Sequence, residues 1–354
     1  MDILEILYDN PPKSRRFLPR KVTISDKKTL LFGTRGSGKS SIIIDYLSGF
    51  SPKAILYIDF SDIRVEAQSI QELQNFIDKN QIKLVVMEHF NYQCRVPNAN
   101  EVILSCTKAL NIEGFKSVFV APLDFEEFMS FDKKHQNIEH IFNLFTNVGT
   151  YPAVVIGQEE EKHRHIQSML RSFLPNQNEL EILKTLTSFQ SKTVSVFKIY
   201  ELMRAKMPLS KDTIYKQMEA LEEEFYIYFV AKFGQERANK KFYFADFALK
   251  NALSFEKDFL ARFENMVFCE LVKRESDIFY TDSVDFYLSL KNTAVLCVPF
   301  LPAELIKRRF VKLAGELKTL GITELQVVTI GNEGRYEQDG IVCEIVPFWE
   351  WAMR

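Results

Sequence analysis

The sequence predicts an α/β protein: a doubly wound parallel sheet, then a winged helix-turn-helix and a smaller α/β unit. Three observations carry this prediction. Lys28 to Leu47 is a strand–loop–helix in which Gly33-Thr34-Arg35-Gly36-Ser37-Gly38-Lys39-Ser40 fits G-x-x-x-x-G-K-[ST] at every fixed position. Four further short apolar runs alternate with polar or helical stretches up to Leu123. From about residue 178 the pattern changes to helices followed by an alternating hairpin.

The loop explains its own residue types. Glycines let the backbone curl so that successive N–H groups point inward at a polyphosphate. Lys39 is placed for the β/γ-phosphates, the Ser40 hydroxyl for Mg²⁺, and the helix after it aims its positive end at the same anion. The expected nucleotide-binding set is Gly33 to Ser40 with Ser41, and the expected ligands are ATP and Mg²⁺. A plain glycine-rich turn would not need the apolar strand Thr29–Phe32 before it and the helix Ser40–Leu47 after it.

Composition is that of a globular chain: 354 residues, 46% hydrophobic and 26% charged, with a net charge of −2 that points to no bulk affinity for nucleic acid. The start, Met-Asp-Ile-Leu-Glu-Ile-Leu, lacks a basic region and a sustained apolar core, so no signal peptide and no membrane partner are expected. The 5 cysteines are scattered and never spaced C-x-x-C, which fits a reducing cytoplasm and no structural zinc. The preamble Asn10–Lys21 carries Lys13, Arg15, Arg16, Arg20 and Lys21, cations able to approach a nucleotide or to stay solvated.

After the loop helix, Ala54–Asp59 is expected as a strand ending in a carboxylate, and a helix is expected around Ser69–Lys79. Ile82–Met87 is the next strand, followed by Glu88-His89-Phe90-Asn91. Phosphoryl-transfer proteins of this class place a metal-directed Asp at such a strand end, often followed by a Glu that polarises water. Two registers fit: Met87 and Glu88, or Glu88 and His89, in those slots. The second keeps four apolar strand residues, and makes Glu88 the metal ligand beside Ser40 and His89 the base, so Glu88 and His89 are the catalytic candidates. Glu101–Thr107 and Phe115–Leu123 complete the expected sheet.

Gly114-Phe-Lys-Ser-Val-Phe-Val-Ala-Pro-Leu-Asp-Phe-Glu-Glu-Phe128 resembles the "G-R … P-L-s-F-x-E-F" signature of a bacterial and archaeal AAA+-type ATPase family. Gly149-Thr-Tyr-Pro-Ala-Val154 is similar to its "G-G-F-P-E-V" turn. Phe115 stands where the family has Arg, and Ala153 where it has Glu. The resemblance implies ATP turnover, weakened here by the altered Glu88-His89 pair and by Phe115. It leaves open a switch that binds ATP without hydrolysing it.

Helices are expected at Leu180–Phe189, Val194–Lys206 and Leu209–Glu224, the last capped by Ser210, with a hairpin from Phe225–Phe233 to Lys241–Phe244. Three helices and a hairpin make the winged helix. Lys211, Thr213, Tyr215 and Lys216 on its last helix, with Lys232, Arg237, Lys240 and Lys241 on the wing, are the candidate DNA contacts; Glu219 and Glu222–Glu224 would repel phosphate, which leaves a packing role equally open.

The final unit has an expected helix Phe255–Lys273, strands Ile278–Tyr280, Val284–Leu288 and Ala294–Val298, a helix Ala303–Leu320, and strands Glu324–Ile330 and near Ile341–Val346. It resembles the family's restriction-endonuclease-like domain. That likeness implies a metal-binding carboxylate set, of which Glu264 and Asp285 remain. Ser283 and Leu296-Cys-Val298 replace the other acids and the Lys, so cleavage of DNA is not expected. Domains are expected at 1–172, 173–248 and 249–354, with a protein partner or further copies of the chain as other candidate partners.

Overall fold

The computed structural model describes residues 3–13, 19–131, 137–157 and 161–354; Arg15 and Arg16 of the basic preamble lie outside them. The chain forms two compact units, one of residues 1–122 with Glu223–Phe225, the other of 123–222 with 226–354. These limits differ from the domain boundaries expected at 172 and 248.

The first unit contains α1 (Ile3–Asp9), β1 (Lys28–Phe32), α2 (Lys39–Leu47), β2 (Ile55–Asp59), α3 (Leu73–Asn80), β3 (Leu84–Glu88), β4 (Glu101–Cys106) and β5 (Lys116–Phe119). Its five strands lie in the order β2-β3-β4-β1-β5, and every pairing is parallel. Alternation explains the continuous apolar runs. Leu30, Val85, Met87, Val102 and Leu104 enter one core with Leu4, Leu73 and Ile77. Leu31, Leu84, Val86 and Ile103 enter another with Ile42, Ile43 and Leu47. Both faces of the sheet are therefore covered by helices, as parallel strands require. β1 has its chain neighbour β2 three places away, so the order reverses beside the phosphate loop, the position where open parallel sheets take ligands.

The second unit opens with α4 (Phe125–Ser130), α5 (Ile138–Val148), α6 (Pro152–Ile156), α7 (Lys162–Phe173) and α8 (Gln177–Leu186). It continues through β6 (Thr193–Val194), α9 (Val196–Arg204), α10 (Lys211–Glu223, whose last residue is counted with the first unit), β7 (Ile227–Lys232), β8 (Lys240–Phe244) and α11 (Leu249–Leu253). It ends with α12 (Phe259–Leu271), β9 (Ile278–Tyr280), β10 (Phe286–Leu288), β11 (Thr293–Cys297), α13 (Ala303–Thr319), β12 (Glu324–Thr329), β13 (Gly334–Gln338), β14 (Ile341–Pro347) and α14 (Phe348–Ala352).

Its strands form a nine-stranded sheet, β13-β14-β12-β11-β10-β9-β7-β8-β6. The sheet continues across the expected boundary at 248, since β7 pairs with β9, Ala231 opposite Phe279 and Lys232 opposite Tyr280. An exposed hairpin edge is satisfied by a strand from the next segment, and one core runs from Phe125 to Ala352.

Residues 123–128, the end of the first stretch that carries the resemblance, meet the second stretch in this unit. Asp124 and Glu127 form a reciprocal capping box on α4, at 2.7 and 3.1 Å. The Leu123 N–H donates to the Thr150 carbonyl at 2.9 Å. Gly149, at φ 81°, is required: a Cβ there would stand 2.4 Å from the Asp246 carboxylate. That buried carboxylate accepts from the Thr150 hydroxyl at 2.9 Å and the Ala248 N–H at 2.7 Å, while burial pushes its pKa up.

Candidate functional site

Gly33 follows β1 directly and has φ 141°; a Cβ there would lie 2.4 Å from the Val120 carbonyl oxygen. Gly36 and Gly38 are also left-handed, at φ 80° and 99°, and Gly38 sits at the N-terminus of α2 with no side-chain cap. The turn is thus built so that main-chain N–H groups at the helix start stay available for an anion.

The side chains around this turn lack partners in a telling way. Thr34 Oγ1, Arg35 Nε and Ser37 Oγ are buried without a hydrogen-bond partner among the described residues. Buried donors left open cost stability, so three of them lining one glycine loop fit a polyphosphate's oxygens. Lys39 Nζ donates to the Gly33 and Thr34 carbonyls at 2.7 and 2.8 Å, which holds the ammonium over the loop. Burial there pushes the Lys39 pKa down to about 8. From the preamble, Arg20 donates to the Ser37 carbonyl and, at 2.8 Å, to that of Ala121. A cavity of about 290 Å³ opens beside α2, lined by Pro19, Arg20, Val22, Ser41, Ile42 and Asp45 among others.

At the end of β3 the Glu88 carboxylate, 1% exposed, accepts from the Ser40 hydroxyl at 2.6 Å, from the Tyr57 hydroxyl, and from Ser105 Oγ at 3.3 Å. Burial pushes the Tyr57 pKa up, and the Glu88 carboxylate adds to the shift. His89 follows at φ 54°, and its Nδ1 lies 2.8 Å from Asp59 Oδ1. Since a carboxylate only accepts, Nδ1 carries the proton of this contact, which turns Nε2 away from Asp59. Asp59 also accepts from the Ser61 N–H and hydroxyl, at 2.8 and 2.7 Å. Burial works against its charge, yet the hydrogen bonds from His89 and Ser61 hold its pKa below the usual carboxylate value.

Ser40, Glu88 and His89 thus lie together, and Asp59, Tyr57 and Ser105 join them. The signal for Asp59 was its place: β2 and β3 are neighbours in register, with Asp59 opposite Glu88. Phe115 packs into the core beside β1 and β4 and contributes no polar atom.

The DNA candidates separate. Lys211 is poised over the Phe197 and Tyr215 rings, at 5.8 and 5.5 Å, and Lys216 and Lys240 are exposed. Lys241 is corrected: its ammonium lies 2.7 Å from Glu264 and 3.4 Å from Asp285, with its side chain 14% exposed, so it is not free for a phosphate. Lys232 is likewise held by Asp282 at 2.6 Å. Glu264 and Asp285, expected as remnants of a metal set, converge instead on the Lys241 ammonium. Burial pushes the Glu264 pKa up to about 7, against the pull of Lys241.

No family model matches the chain. It is 23% identical to the uncharacterised protein MJ1544 of Methanocaldococcus jannaschii, over 99% of this chain and 94% of the relative. Among solved structures it is similar to the Walker-type ATPase PABY2304 of Pyrococcus abyssi, with 15% identity, TM-score 0.46, and 70% of this chain and 99% of that one covered. It is also similar to Aeropyrum pernix Orc1 in complex with DNA, with 12% identity, TM-score 0.34, and 64% and 86% covered. AMPPCP-bound DnaA from Aquifex aeolicus aligns at 14% identity and TM-score 0.29, over 63% and 87%. These are partial backbone likenesses.

Proposed function

We propose that the first unit binds a nucleoside triphosphate with Mg²⁺ and hydrolyses it slowly, and that nucleotide state governs what the second unit binds. The observation that carries this is the set of open buried donors at Thr34, Arg35 and Ser37, on a glycine turn that also holds Lys39. The phosphates take those donors, the helix-start N–H groups and Lys39. The base and ribose take the cavity beside α2, with Asp45 able to accept from an exocyclic amine. Ser40 and Glu88 are hard oxygen donors suited to Mg²⁺, which supplies charge neutralisation on the phosphates.

In this reading Glu88 is the metal-directed carboxylate, and His89 accepts the proton of the attacking water at Nε2. Asp59 fixes the tautomer of His89. A neutral imidazole brings no negative charge to the nucleophile, and Phe115 brings no guanidinium, so turnover is slow. A non-hydrolysing switch is favoured by one observation: Glu88 is already satisfied by Ser40, Tyr57 and Ser105. Single-turnover phosphate release from wild type, His89→Ala and Asp59→Asn separates the two, since a switch releases no phosphate from any of them.

For the second unit, α8, α9, α10 and the β7–β8 hairpin support a winged helix, with Lys211, Lys216, Arg237 and Lys240 as the cations left to meet duplex phosphates. The remaining sheet with α12 and α13 is read as a degenerate endonuclease-like scaffold, in which the Lys241 ammonium stands between the residual carboxylates.

A further inference from the structure

A second cationic surface lies on α13, a different helix of the second unit from α10. Its buried side, Ile306, Phe310, Ala314 and Leu317, packs into the core of the second unit. Its outer side carries Lys307, Arg308, Arg309, Lys312 and Lys318, against Glu304 and Glu316. Glu316 is engaged by the Ser283 hydroxyl, and Glu304 sits in the first turn, where it complements the helix dipole. Lys307 lies over the Tyr336 ring at 5.0 Å. Arg308, Arg309, Lys312 and Lys318 have no ion-pair partner among the described residues. What sets α13 apart is the number of unpaired cations on one helix face, whereas Lys116 and Lys291 are held by Asp26 and Glu275.

Two more observations point to what meets this face. Gly315 sits on its exposed side, with nothing within 4 Å of where a Cβ would be. Glycine is a poor residue for a helix interior, and its bareness here lets a partner's backbone come close. Beside the helix lies a cavity of about 610 Å³, lined by Arg309, Lys192, Leu260, Phe300 and Leu301 among others. Phe300 is 65% exposed at its rim, its ring held by Phe259 at 5.2 Å. Two carboxylates also line the cavity, but Lys192 lies 3.6 Å from Asp258 and Lys241 2.7 Å from Glu264.

We propose that α13 and this cavity bind single-stranded nucleic acid, with Arg308, Arg309 and Lys312 on the phosphates and a base stacked on Phe300. Arg308 and Lys312 are one turn apart, about 6 Å along the helix, and Arg309 brings the track to the cavity mouth. A duplex keeps its bases stacked and offers none to an aromatic rim, whereas cations beside an exposed ring are how unpaired strands are held. The proposal does not depend on the nucleotide reading.

The test is fluorescence anisotropy of the full-length chain with labelled dT20 from 50 to 200 mM salt. With three phosphate contacts the log–log salt slope is about −2, roughly a 20-fold loss over that range. The R308A/R309A/K312A variant should flatten the slope, Lys replacements at 308 and 309 should restore it, and Phe300→Ala should weaken binding about tenfold at unchanged slope. Thermal melting checks that each variant is folded. No binding of dT20 at 50 mM salt overturns the proposal. So does an unchanged slope in the triple variant, or better competition by a duplex than by unlabelled dT20. Loss of binding only in a Lys211, Lys216 and Lys240 variant, or a triple-variant defect seen only with phosphatidylserine vesicles, overturns it too.

Discussion

The proposed nucleotide site predicts that Lys39 links nucleotide affinity to pH. In the free protein its pKa is pushed down to about 8, because burial disfavours the ammonium more than the nearby acids restore it. Only the protonated form suits β/γ-phosphates, and their negative charge draws the pKa back up. Binding above pH 8 must therefore take up a proton. The sign is fixed: affinity is full well below pH 8 and falls as pH rises through it. Above about pH 7.5 the phosphates of the ligand are themselves ionised, so the remaining dependence belongs to the protein. With a pKa of about 8, the protonated fraction drops from about three-quarters at pH 7.5 to about one-thirtieth at pH 9.5, and apparent affinity drops about 25-fold, roughly 1.9 kcal/mol. Calorimetry in two buffers of different ionisation enthalpy at pH 8.5 should show proton uptake, and Lys39→Met should abolish it. Affinity that stays flat from pH 7.5 to 9.5, with no buffer dependence of the enthalpy, would refute the reasoning.

Three further outcomes follow from the geometry. Asp59→Asn should lower single-turnover hydrolysis by about 10²-fold with nucleotide affinity unchanged, since it disturbs the His89 tautomer and the Ser61 turn but none of the loop's phosphate donors; unchanged rates would remove His89 from the chemistry. Gly33→Ala should destabilise the first unit by about 2 kcal/mol or more and weaken nucleotide binding, because the new methyl meets the Val120 carbonyl; a denaturant midpoint equal to wild type would contradict this. Lys241→Ala should cost about 3–5 kcal/mol by leaving Glu264 and Asp285 uncompensated; an unchanged midpoint would show that the ion pairs add no stability.

Local pattern made much of this legible. Apolar runs bounded by turns located all five parallel strands of the first unit, and the loop's glycine spacing located its three left-handed positions. Ser210 does cap α10, its hydroxyl accepting from Thr213 N–H at 3.1 Å. What stayed hidden was mostly non-local. Pairing of β7 with β9 fuses two segments that composition alone separates. Lys241 reads in sequence as a wing cation, but strand alternation puts it on one face with Tyr243, and both side chains contact Glu264. β13 has little apolar alternation to mark it as a strand, and its signal is Asp339-Gly340, a left-handed pair at φ 55° and 80° suited to a tight hairpin. The Asp59–His89 pair depended on knowing which strands are neighbours, which the parallel order decides and the linear pattern does not.

The most direct measurement is a calorimetric titration of ATP-Mg²⁺ into wild type and Lys39→Ala at pH 7.5. Nucleotide binding at the glycine loop predicts one site per chain, and at least a tenfold weaker one in the variant, since a charge-assisted contact is worth about 1.5–3 kcal/mol. Equal affinity in the two proteins, or no heat from wild type at millimolar nucleotide, would contradict it.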